Sequence, residues 1–64
     1  MKHTKEEIER YREAVIEAFG EYGKQYPEID VTTEVEAMRQ CPDANIEEYM
    51  ECNTPKECAW MFLM

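Results

Sequence analysis

The chain has 64 residues, of which 15 are acidic and 7 are basic, and its formal net charge is −8. A chain of this length forms one small domain at most, and its folding hides only about 60% of the surface that the unfolded chain exposes. The sequence contains no apolar run of about 18 residues that could span a membrane. Its N-terminus also lacks the apolar stretch of a secretion signal. We therefore expect residues 1–64 to form a single small domain in the cytoplasm.

The apolar content is low for a folded protein. Ile, Leu, Val and Phe together account for 10 of 64 residues, about 16%, and below roughly 20% a high net charge favours disorder. Five Met, four Tyr and one Trp add apolar volume and favour a folded state. We expect a marginally stable fold whose core is completed by a second chain, either a copy of itself or another protein.

A long helix is predicted at the N-terminus. Thr4 and Glu7 have the spacing of a capping box, in which each side chain binds the backbone N–H of the other residue. Apolar residues then recur every three or four positions until Pro27, which a helix interior does not tolerate. The pattern predicts a helix from Thr4 to about Tyr26 with one buried face, formed by Ile8, Tyr11, Val15, Phe19, Tyr22 and Tyr26.

Residues 28–35 are compatible with two structures. Alternating β-branched residues favour a strand, whereas Thr33 and Glu36 have the capping-box spacing that begins a helix. We expect a short extended segment near 28–32, followed by a helix over 34–40.

Two further short helices are predicted in the C-terminal third. Asn45 and Glu48 have capping spacing, and Thr54, Pro55 and Glu57 combine an N-cap, a proline at the first helical position and an acid at the third. The predicted fold class is all-α, a small bundle of one long N-terminal helix and three short helices. Homodimerisation stays open as the means of completing its core.

The C-terminal residues 58–64 are all apolar. A helix built from them has no polar face. Two interpretations stay open: the helix fills the core, or part of it forms an exposed patch of the kind that marks an interaction surface. The second interpretation predicts an apolar interface formed by Trp60, Met61, Phe62 and Leu63.

The acidic residues are concentrated after Pro27. Residues 1–26 have a net charge of −1, whereas residues 27–64 have a net charge of −7. Solubility and the preference of acids for helix N-termini explain part of this excess, because Glu47, Glu48 and several other acids lie in predicted first turns. The other interpretation is an electrostatic surface for a basic partner, formed by Glu34, Glu36, Asp43, Glu47, Glu48, Glu51 and Glu57.

Catalytic chemistry finds little support in the sequence. The chain has no serine, and its one histidine, His3, lies near a terminus. The three cysteines match neither a disulfide framework nor the closely spaced cysteine pairs of zinc sites. We therefore expect free, buried thiols at Cys41, Cys52 and Cys58, no metal or other cofactor, and no enzymatic activity. The acidic charge also argues against direct binding of nucleic acid, which requires cations.

These features together predict an acidic interaction protein. We expect it to bind and inhibit a basic partner that handles nucleic acid, for instance a nuclease, as nucleic-acid mimics and the inhibitors of phages or mobile elements do. Two alternatives stay open. One is a structural or regulatory homodimer assembled through the apolar C-terminus, and the other is a small-ligand sponge that holds its ligand between two protomers.

Overall fold

Four helices make up the described part of the chain, which is residues 3–63 of a computed structural model. They are α1 (Lys5–Gln25), α2 (Val31–Gln40), α3 (Asp43–Cys52) and α4 (Pro55–Leu63). No strand is present between residues 3 and 63. The predicted all-α bundle of one long N-terminal helix and three short helices is confirmed. Met64, the last residue of the predicted apolar segment, lies outside the described residues.

Helix α1 begins and ends where the sequence predicts. The Thr4 Oγ1 atom accepts a hydrogen bond from the Glu7 N–H at 3.1 Å, and a Glu7 carboxylate oxygen accepts one from the Thr4 N–H at 2.8 Å. These bonds complete the capping box, and they lower the pKa of Glu7 because they favour its charged form. At the other end the Tyr26 N–H donates to the Tyr22 carbonyl, and Pro27 then prevents the helix from continuing.

Helix α2 begins at Val31, three residues earlier than the predicted start at residue 34. Its cap is Asp30, whose carboxylate accepts a hydrogen bond from the Thr32 N–H at 3.0 Å. The predicted start was wrong because Asp30, and not Thr33, supplies the first side-chain acceptor for the free N–H groups of this helix.

Close packing on α1 favours the early start of α2. A side chain at Gly23 would lie 3.2 Å from a Val31 methyl carbon, so its absence lets the first turn of α2 approach the last turns of α1. The last two residues of the predicted extended segment 28–32 are therefore helical, and the Asp30 cap has extended backbone angles.

Helix α3 also begins earlier than predicted, at Asp43 instead of after an Asn45 cap. Its N-cap is Pro42, which makes no side-chain cap bond. The Pro42 carbonyl accepts hydrogen bonds from the N–H groups of Asn45 and Ile46 at 3.0 and 3.2 Å. The prediction was wrong because a contact with α1 that is distant in sequence holds Asp43 in place, and no local cap is needed.

Helix α4 begins at Pro55 as predicted. The Thr54 hydroxyl accepts a hydrogen bond from the Glu57 N–H at 3.2 Å, and the Glu57 carboxylate accepts one from the Thr54 N–H at 2.9 Å. Both bonds of the predicted capping box are present, and a proline at the first helical position has no N–H to leave unsatisfied.

Helix α1 is the centre of the fold, since α2, α3 and α4 each pack against it. The molecule measures 37 × 19 × 16 Å. Among the helices described, none combines the length and the apolar character that a membrane crossing requires. The buried apolar core draws on all four helices and consists of Ile8, Tyr11, Val15, Ala18, Phe19, Met38, Ile46, Cys58 and Ala59.

Candidate interaction surfaces

Arg12 is buried where α1 meets the junction between α2 and α3, with 6% of its surface exposed. Its Nη1 atom donates to the carbonyls of Met38 and Cys41, each at 2.8 Å, and its Nη2 atom donates to a carboxylate oxygen of Asp43 at 2.7 Å. The two carbonyls lie at the C-terminal end of α2, where the helix dipole is negative. Asp43 lies in the first turn of α3. One guanidinium group therefore joins three helices.

This role of Arg12 was not predicted, because the residue has an acid three positions away at Glu9 and resembles the other charged residues of a solvated helix. A signal was nevertheless present in the sequence. Arg12 follows Ile8 by four residues and precedes Val15 by three, so it lies on the apolar face of α1. A charged side chain on such a face is buried and must find partners there.

Tyr11 holds the junction between α3 and α4. Its hydroxyl lies 2.9 Å from the Asn53 carbonyl oxygen, and 3.2 and 3.3 Å from those of Tyr49 and Thr54. Burial raises the pKa of Tyr11, and the charges of nearby thiol and carboxylate groups act in the same direction. Two adjacent residues thus attach neighbouring junctions to α1: Arg12 binds the α2–α3 junction, and Tyr11 binds the α3–α4 junction.

The apolar C-terminal segment is divided between core and surface. Phe62 and Leu63 pack against the core, and the centroid of the Phe62 ring lies 6.1 Å from that of Phe19. Trp60 and Met61, in contrast, are 38% and 50% exposed. Two of the four residues predicted as an apolar interface are therefore partly exposed, and a partner could contact them.

Trp60 lies against two tyrosines from the C-terminal end of α1. Its ring centroid is 5.2 Å from that of Tyr22 and 6.0 Å from that of Tyr26, with the rings tilted by 52° and 47°. Tilted contacts of this kind are attractive between aromatic rings. Tyr26, predicted on the buried face of α1, is 39% exposed, so these three residues form an aromatic cluster that is open to solvent.

Asp43, Glu47 and Glu57 of the predicted acidic surface make contacts that belong to the fold. Asp43 binds Arg12 and also lies 3.4 Å from the Lys5 Nζ atom. Glu47 accepts a hydrogen bond from the His3 N–H at 3.1 Å, and the Glu57 carboxylate belongs to the α4 capping box. A basic partner that approached Asp43 or Glu57 would compete with contacts that position α3 and α4, whereas the contact of Glu47 is with His3, which precedes α1.

An acidic face lies on α3, where Glu47, Glu48 and Glu51 surround a shallow depression of about 290 Å³ together with Ala44. The prediction that Glu47 and Glu48 lie in a first turn was wrong, because α3 begins at Asp43 and its first turn holds Asp43 as its acid. Glu47 and Glu51 are one turn apart, a like-charge spacing that destabilises a helix by a few tenths of a kcal/mol. The helix dipole therefore does not account for these carboxylates.

The two remaining acids of the predicted surface lie on α2. Glu34 is half-buried in the first turn of this helix, where the dipole favours a negative charge. Glu36 is exposed and follows in the second turn. The helix dipole therefore explains the position of Glu34, whereas it does not explain the carboxylates of the α3 face.

The three cysteines are free thiols, and they differ in accessibility. Cys58 is buried, Cys41 is half-buried and Cys52 is exposed, so the prediction of burial was wrong for Cys52. Burial raises the pKa of the Cys58 thiol. Across residues 3–63, no three His, Cys, Asp or Glu side chains are grouped closely enough to hold a metal ion.

Comparison with known proteins finds no family, no curated protein and no solved structure that matches this chain.

Proposed function

We propose that this protein is not an enzyme, that it binds a basic partner protein through the acidic face of α3, and that it inhibits the nucleic-acid-handling activity of that partner. The observation that supports the proposal is the position of Glu47, Glu48 and Glu51 around one depression, outside the first turn of α3. The helix dipole does not favour carboxylates there, and their spacing weakens the helix. Positions at which a sequence departs from such local rules are expected to be functional or strained sites.

The charge of the whole chain supports the same kind of partner. A net charge of −8 on 64 residues attracts a basic protein over several ångströms before contact. Complementary potentials of this kind accelerate association and make it sensitive to salt. The proposed complex therefore forms quickly at low ionic strength and weakens as salt is added.

Basic side chains that bind phosphates can also bind the carboxylates of the α3 face. Side chains one helical turn apart, as Glu47 and Glu51 are, lie roughly 5–6 Å from each other. Phosphates along one DNA strand advance by about 3.4 Å per nucleotide, and the long Lys and Arg side chains that bind them can adjust to either spacing. Carboxylates that occupy such a groove exclude the nucleic acid, which is how binding leads to inhibition.

The test compares two double variants that change the net charge by the same amount. E48K/E51K reverses the charge on the acidic face of α3, whereas E6K/E13K makes the matched change on α1, and all four side chains are exposed. Each protein is immobilised, incubated with cell lysate and washed with increasing salt. We expect the unchanged protein and E6K/E13K to retain the same basic, nucleic-acid-binding proteins, and E48K/E51K to lose them.

Inhibition is then measured on a captured protein after its purification. The fluorescence anisotropy of a labelled oligonucleotide bound to that protein is followed while the unchanged chain is added, and we expect competitive release of the oligonucleotide. Circular dichroism of both double variants verifies that their helices persist. Equal loss of capture in the two variants, or a captured protein that keeps its oligonucleotide, would contradict the proposal.

A further inference from the structure

A groove lies between α1 and the first turn of α4. Its floor is formed by the small side chains of Ala14 and Ala18 and by the ring of Pro55, and it encloses about 350 Å³. Charged side chains from both helices line its border: Glu17 and Glu21 of α1, and Lys56 of α4. An apolar floor with a charged border suits a bulky aromatic side chain that brings polar neighbours with it.

The groove continues into a second depression along α1. This depression shares Glu21 and Lys56 with the groove and extends to Tyr22 and Lys24. Trp60 lies one helical turn beyond Lys56 on α4 and packs on Tyr22. The groove and the exposed aromatic cluster are therefore the two ends of one surface, which we call the α1/α4 face.

The charges on the α1/α4 face balance. Glu17 and Glu21 contribute two negative charges, and Lys24 and Lys56 contribute two positive charges. The chain as a whole carries −8, so two copies repel each other when they approach through acidic surfaces such as that of α3. Through the α1/α4 face they meet with a local net charge of zero.

We propose that the α1/α4 face binds the same face of a second copy of this chain, around a two-fold axis near Glu21 and Lys56. The two α1 helices run antiparallel across this axis, so Trp60 of each copy enters the groove of the other. Glu17 of each copy then lies opposite Lys24 of the other. The same residues serve on both sides, as an isologous interface requires, and the exposed part of each Trp60 ring becomes covered.

A second copy fits this face better than the basic partner proposed for α3. Lys24 and Lys56 repel a basic protein, whereas a copy of the chain offers Glu17 and Glu21 to the same two lysines. The proposal does not rest on the proposed function, because it uses different residues on different helices. A dimer formed in this way leaves both acidic faces of α3 to other partners.

Complementary charge reversal tests the dimer. E17K/E21K makes all four charged side chains of the face basic, and K24E/K56E makes all four acidic. Molar mass by light scattering is expected to show a dimer for the unchanged protein, with dissociation on dilution, and a monomer for each double variant alone. An equimolar mixture of the two double variants is expected to recover the dimer mass, because their faces attract each other.

Two controls separate this result from general effects of charge and folding. E48K/E51K changes the net charge by the same amount as E17K/E21K but leaves the α1/α4 face intact, so it is expected to remain dimeric. Trp60→Ala is expected to raise the dissociation constant of the dimer at least about tenfold while circular dichroism shows retained helices. If a charge-reversed variant unfolds, the Trp60→Ala result decides. A monomer mass for the unchanged protein at every concentration, a mixture that stays monomeric, or an unaffected Trp60→Ala dimer overturns the proposal.

Discussion

Arg12 places a full positive charge in the interior of a protein whose apolar residues are few. Removal of a guanidinium group from water costs several kcal/mol, and only close partners offset that cost. Here the Asp43 carboxylate lies 2.7 Å away, and the carbonyls of Met38 and Cys41 lie 2.8 Å away. Loss of the guanidinium would leave the carboxylate and both carbonyls without this donor, so the free energy of unfolding depends strongly on this one residue.

Replacement of Arg12 should therefore be much more harmful than replacement of a nearby surface arginine. We expect Arg12→Met to lower the free energy of unfolding by about 3 kcal/mol, a large share of the roughly 3–10 kcal/mol typical of a domain of this size. The matched control is Arg10→Met, which removes an exposed ion pair with Glu6 and should cost less than about 1 kcal/mol. Urea unfolding followed by circular dichroism measures both values, and equal losses would contradict the role assigned to Arg12.

The Tyr11 hydroxyl makes the fold sensitive to alkaline pH. Burial raises its pKa above the ordinary tyrosine value of about 10, so the folded protein keeps this proton at pH values where the unfolded chain has lost it. Its contribution to stability is complete below about pH 10 and decreases as the pH rises towards the pKa of the folded state. Burial also raises the pKa values of Tyr49 and Cys58, which act in the same direction.

Tyr11→Phe measures how much this hydroxyl contributes to the loss of folding stability at alkaline pH. At neutral pH we expect the variant to unfold at lower urea concentration, because the Asn53 carbonyl loses a hydrogen-bond donor worth about 1 kcal/mol. Above about pH 10 its stability should fall less steeply than that of the unchanged protein. Urea midpoints measured from neutral to alkaline pH test this expectation. Parallel curves for the two proteins would show that Tyr11 ionises alike in the folded and unfolded states.

At the scale of the helix, the two starts at which both bonds of a capping box form were predicted, and the two starts without a capping box were missed. The capping boxes at Thr4 and Thr54 each join groups three residues apart, and both were predicted correctly. The starts of α2 and α3 depend on packing of Val31 against Gly23 and on the hold of Arg12 on Asp43. Arg12 and Asp43 lie 31 residues apart, beyond the reach of a local pattern, whereas the Asp30 cap of α2 is local and was passed over in favour of the Thr33 and Glu36 spacing.

The α4 cap offers a quantitative test at this scale. Thr54→Ala removes the hydroxyl that accepts a hydrogen bond from the Glu57 N–H. This change should lower the free energy of unfolding by about 1 kcal/mol. Thr54→Ser is the control, because it retains the hydroxyl and should cost less than about 0.5 kcal/mol. Both values come from urea unfolding. A loss in the serine variant as large as in the alanine variant would show that the Thr54 methyl group, and not the cap, stabilises this end of α4.

At the scale of the whole molecule, the charges are sorted by helix. The acidic face of α3 gathers Glu47, Glu48 and Glu51 around one depression, whereas the α1/α4 face combines two acids with two bases. The excess of acids after Pro27 was predictable from composition, but its division into surfaces was not. Asp43 belongs to the predicted acidic set by its charge, yet it is half-buried and bound to Arg12. The groove likewise has no sequence signature, because it exists only where α1 and α4 meet.

The adjacent anchors Tyr11 and Arg12 have a consequence for the order in which the protein is made. Both residues leave the ribosome early, but the carbonyl groups that they bind follow between residues 38 and 54. Until then the apolar side of α1 has nothing to cover it, and a lone amphipathic helix of this length is only marginally stable in water. We therefore expect the nascent chain to stay largely unstructured until the residues that bind Tyr11 and Arg12 have been synthesised.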